Sequence, residues 1–142
     1  METQVMYGSA TNLATAEHDG QNAQHLCVKV GTCLKFIELA NIIYVQAAGN
    51  YVGITMITGE TVHTKESISH IAKRLPDHLF IRIHRSYLVN LAYVKEIRPR
   101  QNNYEFTLTC DTCLLTGTTY RKLIHQRFSI NHVQASLPPM TA

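Results

Sequence analysis

The feature that most restricts how this chain can fold is a series of short apolar segments punctuated by turn signals. LCVKV and CLKFIEL flank Gly31-Thr32. IIYVQA and YVGITMI flank Ala48-Gly49-Asn50, and YVGITMI and ETVHTK flank Thr58-Gly59. Later, EFTLTC and CLLTG meet at Asp111-Thr112. Short apolar runs joined by Gly, Asn or Asp turns pair as antiparallel hairpins, because those residues reach the backbone angles that tight turns need. The period changes in two places only. In ESISHIAKRL, Ile68, Ile71, Ala72 and Leu75 share the spacing of one helix face, and Pro76 stops the helix. In TYRKLIHQRF a second short helix is expected, with Tyr120, Leu123, Ile124 and Phe128 inward and Thr118 or Thr119 as N-cap. The expected fold is mainly β, with several antiparallel strands and two short helices.

The 142 residues fit one domain with tails. Residues 1–25 are rich in Ala, Thr, Asn, Gln and Gly without a period and read as a disordered tail. The domain spans 26–128, and 129–142 read as a flexible C-terminal tail. No apolar run approaches a membrane-spanning length, and the N-terminus lacks the basic start and apolar core of an export signal. A cytoplasmic protein without membrane insertion is expected.

Charge is unevenly placed. The first 25 residues hold Glu2, Glu17 and Asp19 and no Lys or Arg, whereas residues 26–128 hold all 13 Lys and Arg. A basic body suits a polyanionic partner, though such a balance also occurs in proteins that bind none. Catalytic patterns are missing. There is no H-x-x-x-H, no G-x-S-x-G, no phosphate-cradling glycine loop and no evident carboxylate pair. Neither enzyme activity nor a cofactor is expected. Cys27 and Cys33 lack C-x-x-C spacing, leaving Cys110-Asp111-Thr112-Cys113 as the single such pair. A zinc-dependent module would need nearby histidines as well, and cysteines on strands also serve as small hydrophobes.

The segment FIRIHRSYLVN (80–90) poses the sharpest question. Ile81, Ile83, Tyr87 and Val89 form one apolar face, and Arg82 and His84 fall on the other. Arg85 then lands at an apolar-face position, where a buried unpaired guanidinium is costly. Either the chain turns there or Arg85 is held out toward something. Arg82, His84, Arg85, Ser86 and Asn90 together could contact DNA, since Arg forks onto guanine or phosphate and Asn pairs with adenine. The alternative is a salt-bridged Arg, with Asn90 as a strand-ending turn residue. A second basic, amide-rich stretch, Arg98 to Asn103, reads either as a DNA-facing loop or as a solvated turn. Hairpin geometry puts it at the end opposite Asp111-Thr112, where Arg98, Arg100, Asn102, Thr118, Thr119, Arg121 and Lys122 could converge. Arg121 and Lys122 in a first helical turn oppose the macrodipole, and an anion docked there would relieve the conflict.

In NIIYVQAAGNYVGI, TKESISHIAKRL, FIRIHRSYLVNLAYVKEI and LLTGTTYRKLIHQRF, four ordered stretches across roughly residues 26–128, the chain resembles LytTR-type DNA-binding domains. The resemblance implies an elongated, mostly antiparallel β fold of several small sheets. It also implies duplex DNA at promoter repeats, contacted by loops in successive major grooves and bent, and a homodimer on that DNA. By position it places Asn50 and Tyr51 in the first contacting loop, Arg85 at a base- or phosphate-contacting site, and Thr118 at the start of the last contact region. Family members often carry Ser-Arg where this chain has Gly117-Thr118, so that Arg contact is missing; either Arg121 or Lys122 substitutes for it, or binding is weaker or differently specific. Twenty-five tail residues cannot hold a receiver domain, so the expected function is a stand-alone, sequence-specific transcriptional regulator. The alternative is a protein-interaction module that binds a regulatory partner and has little DNA preference.

Overall fold

A computed structural model describes residues 24–128. Apart from Gln24 and His25, the two expected tails lie outside the described residues. The strands are β1 (His25–Val30), β2 (Cys33–Glu38), β3 (Ile42–Ala48), β4 (Tyr51–Met56), β5 (Thr61–Thr64), β6 (Phe80–His84), β7 (Tyr87–Asn90), β8 (Val94–Pro99), β9 (Tyr104–Leu108) and β10 (Cys113–Leu115). Helix α1 (Ile68–Lys73) follows β5, and α2 (Arg121–Phe128) closes the domain. All pairings are antiparallel. They form a two-stranded sheet β1-β2, a five-stranded sheet β5-β4-β3-β7-β6 and a three-stranded sheet β8-β9-β10.

Strands β3, β7 and β6 of the central sheet are covered on both faces, which explains why they read as continuous apolar runs, whereas β4 and β5 contribute only to the first core. Ile42 and Val45 of β3, Phe80 of β6 and Leu88 of β7 join a core with Leu26, Val28 and Ile37 of the β1-β2 hairpin and Ile68, Ile71 and Leu75 around α1. Their sequence neighbours Ile43, Ile81 and Val89 join a second core with Tyr104, Phe106, Leu108, Leu114 and Ile124. Each fully buried Ile or Leu contributes about 1.5–3 kcal/mol relative to exposure. The inward face expected for α1 is observed, with Ser67 capping it through a bond from the His70 N–H (3.1 Å).

The turns follow their residues. Gly49 opens the two-residue turn between β3 and β4 with φ +63°, and Asp111 turns between β9 and β10 with φ +69°. Segment 80–90 is not one strand: it is a hairpin whose turn is Arg85-Ser86. Arg82 pairs with Leu88 and His84 with Tyr87, so Ile83 is the extra residue of a β-bulge. The bulge leaves the Ile83 carbonyl to accept the Gly117 N–H at 2.9 Å.

The last helix departs from expectation. Thr118–Tyr120 form a 3-10 turn preceded by Gly117, with no side-chain cap, and the α-helix begins only at Arg121. The tertiary bond from Gly117 fixes this entry instead of a threonine cap. Of the four residues expected inward, Ile124 is fully buried, Tyr120 and Phe128 pack against the second core, and Leu123 is 43% exposed. Asn90 takes the structural role: it is buried, donates to the Ile42 carbonyl (2.8 Å) and accepts the Ala92 N–H (2.9 Å).

Candidate nucleic-acid interface

Four segments distant in sequence end at one edge of the molecule. The Ala47 N–H donates to the Ser86 carbonyl (2.9 Å), setting the Gly49-Asn50 turn beside the Arg85-Ser86 turn. The Gly117 bond to Ile83 brings residues 117–122 to the same edge. A Cβ on Gly117 would lie 3.3 Å from the Tyr120 ring and 3.4 Å from that of His84, so this approach is close. The Thr116 N–H donates to the Tyr104 carbonyl (2.9 Å), and the Tyr104 N–H to Thr116 Oγ1 (3.0 Å), which aligns the end of β10 with the 100–103 turn. The expected convergence of that loop with the start of the last helix is therefore met on the same sheet end.

The turn at 85 is built to hold one side chain outward. Arg82 Nε donates to the His84 carbonyl (3.0 Å) and Nη2 to the Arg85 carbonyl (2.6 Å), while Nη1 lies 3.5 Å from Ser69 Oγ on α1. The Ser86 N–H donates to His84 Nδ1 (3.0 Å), which places the proton of a neutral His84 on Nε2. Arg82 and His84 thus brace the backbone. Arg85 is exposed, and among the described residues its guanidinium has no hydrogen-bond or ion-pair partner. Asn50 is exposed beside it, and Tyr51 is 47% exposed.

The other cations of the edge differ in how free they are. Arg100 Nε donates to Glu105 Oε1 (3.1 Å), and this bond holds the Glu105 carboxyl below its ordinary value. Arg98 pairs with Glu96 at 2.9 Å, and Asn102 is exposed at the turn. Arg121 lies 5.2 Å from the centre of the Tyr104 ring, and its buried Nη1 finds no hydrogen-bond partner among the described residues. Tyr104 Oη shares a hydrogen bond with His125 Nε2 (2.7 Å). Burial raises the Tyr104 pKa, and the Arg121 charge opposes that rise. Lys122 is exposed. With Thr118, Thr119, Arg121, His125 and Gln126 it lines an open depression of about 480 Å3.

One cation escaped the reading of the sequence. Val52 pairs with Thr64, and exposed Lys65 follows directly at that end of the sheet. The Thr58-Gly59 turn, which fixes that register, was the available signal. No Asp or Glu occurs in 39–59, 78–95 or 112–128, the segments that supply the edge apart from its 100–103 turn and Lys65. The edge is positive because acids are missing as well as because cations are present.

A family model described as the LytTr DNA-binding domain matches residues 32–129. The chain belongs to the LytTR family. It is 29% identical over 120 residues to the sensory transduction protein LytT of Bacillus subtilis, covering 80% of this chain and 49% of that protein. It is 33% identical over 102 residues to the transcriptional regulatory protein LytR of Staphylococcus aureus, covering 70% and 40%. The chain thus spans half or less of these relatives. Among solved structures, a LytTr DNA-binding domain of a putative methyl-accepting/DNA response regulator from Bacillus cereus superposes with a TM-score of 0.66 at 19% identity. The match covers 74% of this chain and 96% of that one. The small antiparallel sheets and two short helices are the fold of that neighbour. The family is one of DNA-binding regulatory domains and not a class of enzymes. No helix among the described residues is long and apolar enough to cross a membrane.

Proposed function

We propose that this LytTR domain binds duplex DNA sequence-specifically, as a transcriptional regulator in the bacterial cytoplasm, through the edge formed by residues 49–51, 85–86, 100–103 and 117–122. The observation that carries the reading is Arg85: exposed, without a partner among the described residues, and mounted on a turn that two other side chains brace. Arg85 and Asn50 have the donor and acceptor patterns that read base edges in the major groove. Lys65 and Lys122 neutralise phosphates, and the exposed hydroxyls of Thr118 and Thr119 add neutral phosphate contacts. Arg82 and His84 act as positioning residues rather than contacts. Arg121 braces the last contact region against Tyr104 and keeps its charge near the DNA, which serves part of the role of the Arg missing at Thr118.

The test is selection of bound duplexes from a random library, followed by titration of the enriched sequence at several salt concentrations. An enriched motif is expected, with affinity falling steeply as salt rises, by a slope of about −0.9 per neutralised phosphate. Salt-sensitive binding without an enriched motif would reject sequence specificity and favour the protein-interaction alternative.

A further inference from the structure

The β1-β2 hairpin carries an exposed apolar surface that the DNA-binding reading leaves unused. Leu34 and Phe36 of β2 are 64% and 69% exposed, the two most exposed large hydrophobic side chains among the described residues. Among the described residues strand β2 pairs with β1 alone, and its other edge is open. The hydrogen-bonding phase of that edge is fixed. The Leu39 N–H donates to the Gln24 carbonyl (2.8 Å), and alternate residues Ile37, Lys35 and Cys33 therefore bond to β1. The N–H and C=O groups of Leu34, Phe36 and Glu38 point to the free edge. An open strand of six residues without Pro or Gly and with two exposed apolar side chains is a template for another strand.

We propose that the occupant is the β2 strand of a second copy of this chain, paired antiparallel about a two-fold axis through Phe36. The edge groups select this register. A two-fold axis normal to the sheet pairs edge-facing groups with edge-facing groups only when it lies midway between the two copies of one residue. With the axis at Phe36, Leu34 opposes Glu38 of the second copy, Phe36 opposes Phe36, and Glu38 opposes Leu34. All three edge-facing residues then bond to one another. With the axis at Lys35 or Ile37, one of the three meets a residue beyond the strand, and the Lys35 axis also sets two lysines face to face. The Phe36 register instead sets Lys35 against Ile37. On the outer face, Leu34 and Phe36 of both copies become diagonal and direct neighbours and form one apolar cluster. A contact of this size lies at the small end of specific interfaces, so association is concentration-dependent.

Sedimentation velocity of the full chain over a wide concentration range tests this. The weight-average mass should rise from one chain toward two. Phe36→Lys sets two cations against each other on the axis and should leave a monomer at every concentration. Leu34→Glu, which opposes Glu38 of the second copy, should also abolish the dimer, and adding Glu38→Lys should restore it. Both single changes fall on exposed positions, and circular dichroism confirms that each variant folds. A wild type that stays monomeric, association that survives Phe36→Lys, or a Leu34→Glu loss that Glu38→Lys does not rescue each overturns the proposal. None of these outcomes depends on DNA, so the DNA-binding reading stands or falls separately.

Discussion

Two arginine-bearing turns of this domain look alike in sequence and behave differently in the fold. In the 82–86 turn, Arg82 places its donors on the carbonyls of His84 and Arg85, and Arg85 is left without a partner among the described residues. In the 98–103 turn, Arg98 pairs with Glu96 and Arg100 with Glu105, so both charges meet carboxylates within the same hairpin. The difference lies in the acids. Segment 78–95 contains none, while the β8-β9 hairpin contributes Glu96, two residues before Arg98 on the same strand, and Glu105, whose carboxylate meets Arg100 across the turn. A cation count does not distinguish these turns; the placement of acids beside them does.

The comparison can be broken by substitution, and the largest effect is expected at Arg85. Arg85→Ala should weaken binding to the selected site by about 1–3 kcal/mol, as for loss of a bidentate base contact, with specificity relaxed at one position. Its thermal stability should stay within about 0.5 kcal/mol of wild type, because the side chain is exposed and has no hydrogen-bond or ion-pair partner among the described residues. An unchanged affinity measured by fluorescence anisotropy would remove Arg85 from the interface. Arg82→Ala should come next. It removes two charge-assisted bonds to backbone carbonyls and should lower stability in urea titration by about 1–3 kcal/mol. Specific binding should weaken with it, since the braced turn is lost. A variant with wild-type stability but weakened binding would instead make Arg82 a direct contact.

Arg100→Ala sharpens the other side. With its charge already paired to Glu105, its removal should change DNA affinity only slightly and reduce the salt slope by less than the value of about one expected for a phosphate-contacting Lys or Arg. A loss matching that of Arg85→Ala would show that DNA displaces Glu105 from the pair. The smallest effect is in pH dependence. Glu105 has a folded pKa below its unfolded value, so its stabilisation is present above the ordinary carboxylate range and fades as pH falls through the lowered pKa. NMR titration of Arg100→Ala should show the Glu105 carboxyl returning toward its ordinary value.

Much of this fold was legible because it is written in local signals. Gly49, Gly59 and Asp111 mark their turns through backbone angles that few residues adopt, and Ile68, Ile71 and Leu75 mark α1 by period. The illegible parts are set by distant contacts. Arg85-Ser86 carries no Gly, Pro or Asn, and its turn is held by side chains and by the bulge at Ile83. The start of the last helix depends on Gly117 meeting Ile83, 34 residues away. At the candidate site, Asn50, Tyr51 and Arg85 could be singled out from sequence. The separation of free from engaged cations could not, since Arg121 meets Tyr104 and Arg82 reaches backbone only once the sheets are assembled.

The bracing of the 82–86 turn has an evolutionary consequence. At residue 85 the brace grips only the backbone carbonyl, and every residue type supplies that carbonyl. The side chain at this position can therefore drift among lineages without a stability penalty for selection to remove. A scaffold built this way separates heritable change in what is recognised from change in what folds, so new target preferences can arise at residue 85 by single steps through folded intermediates.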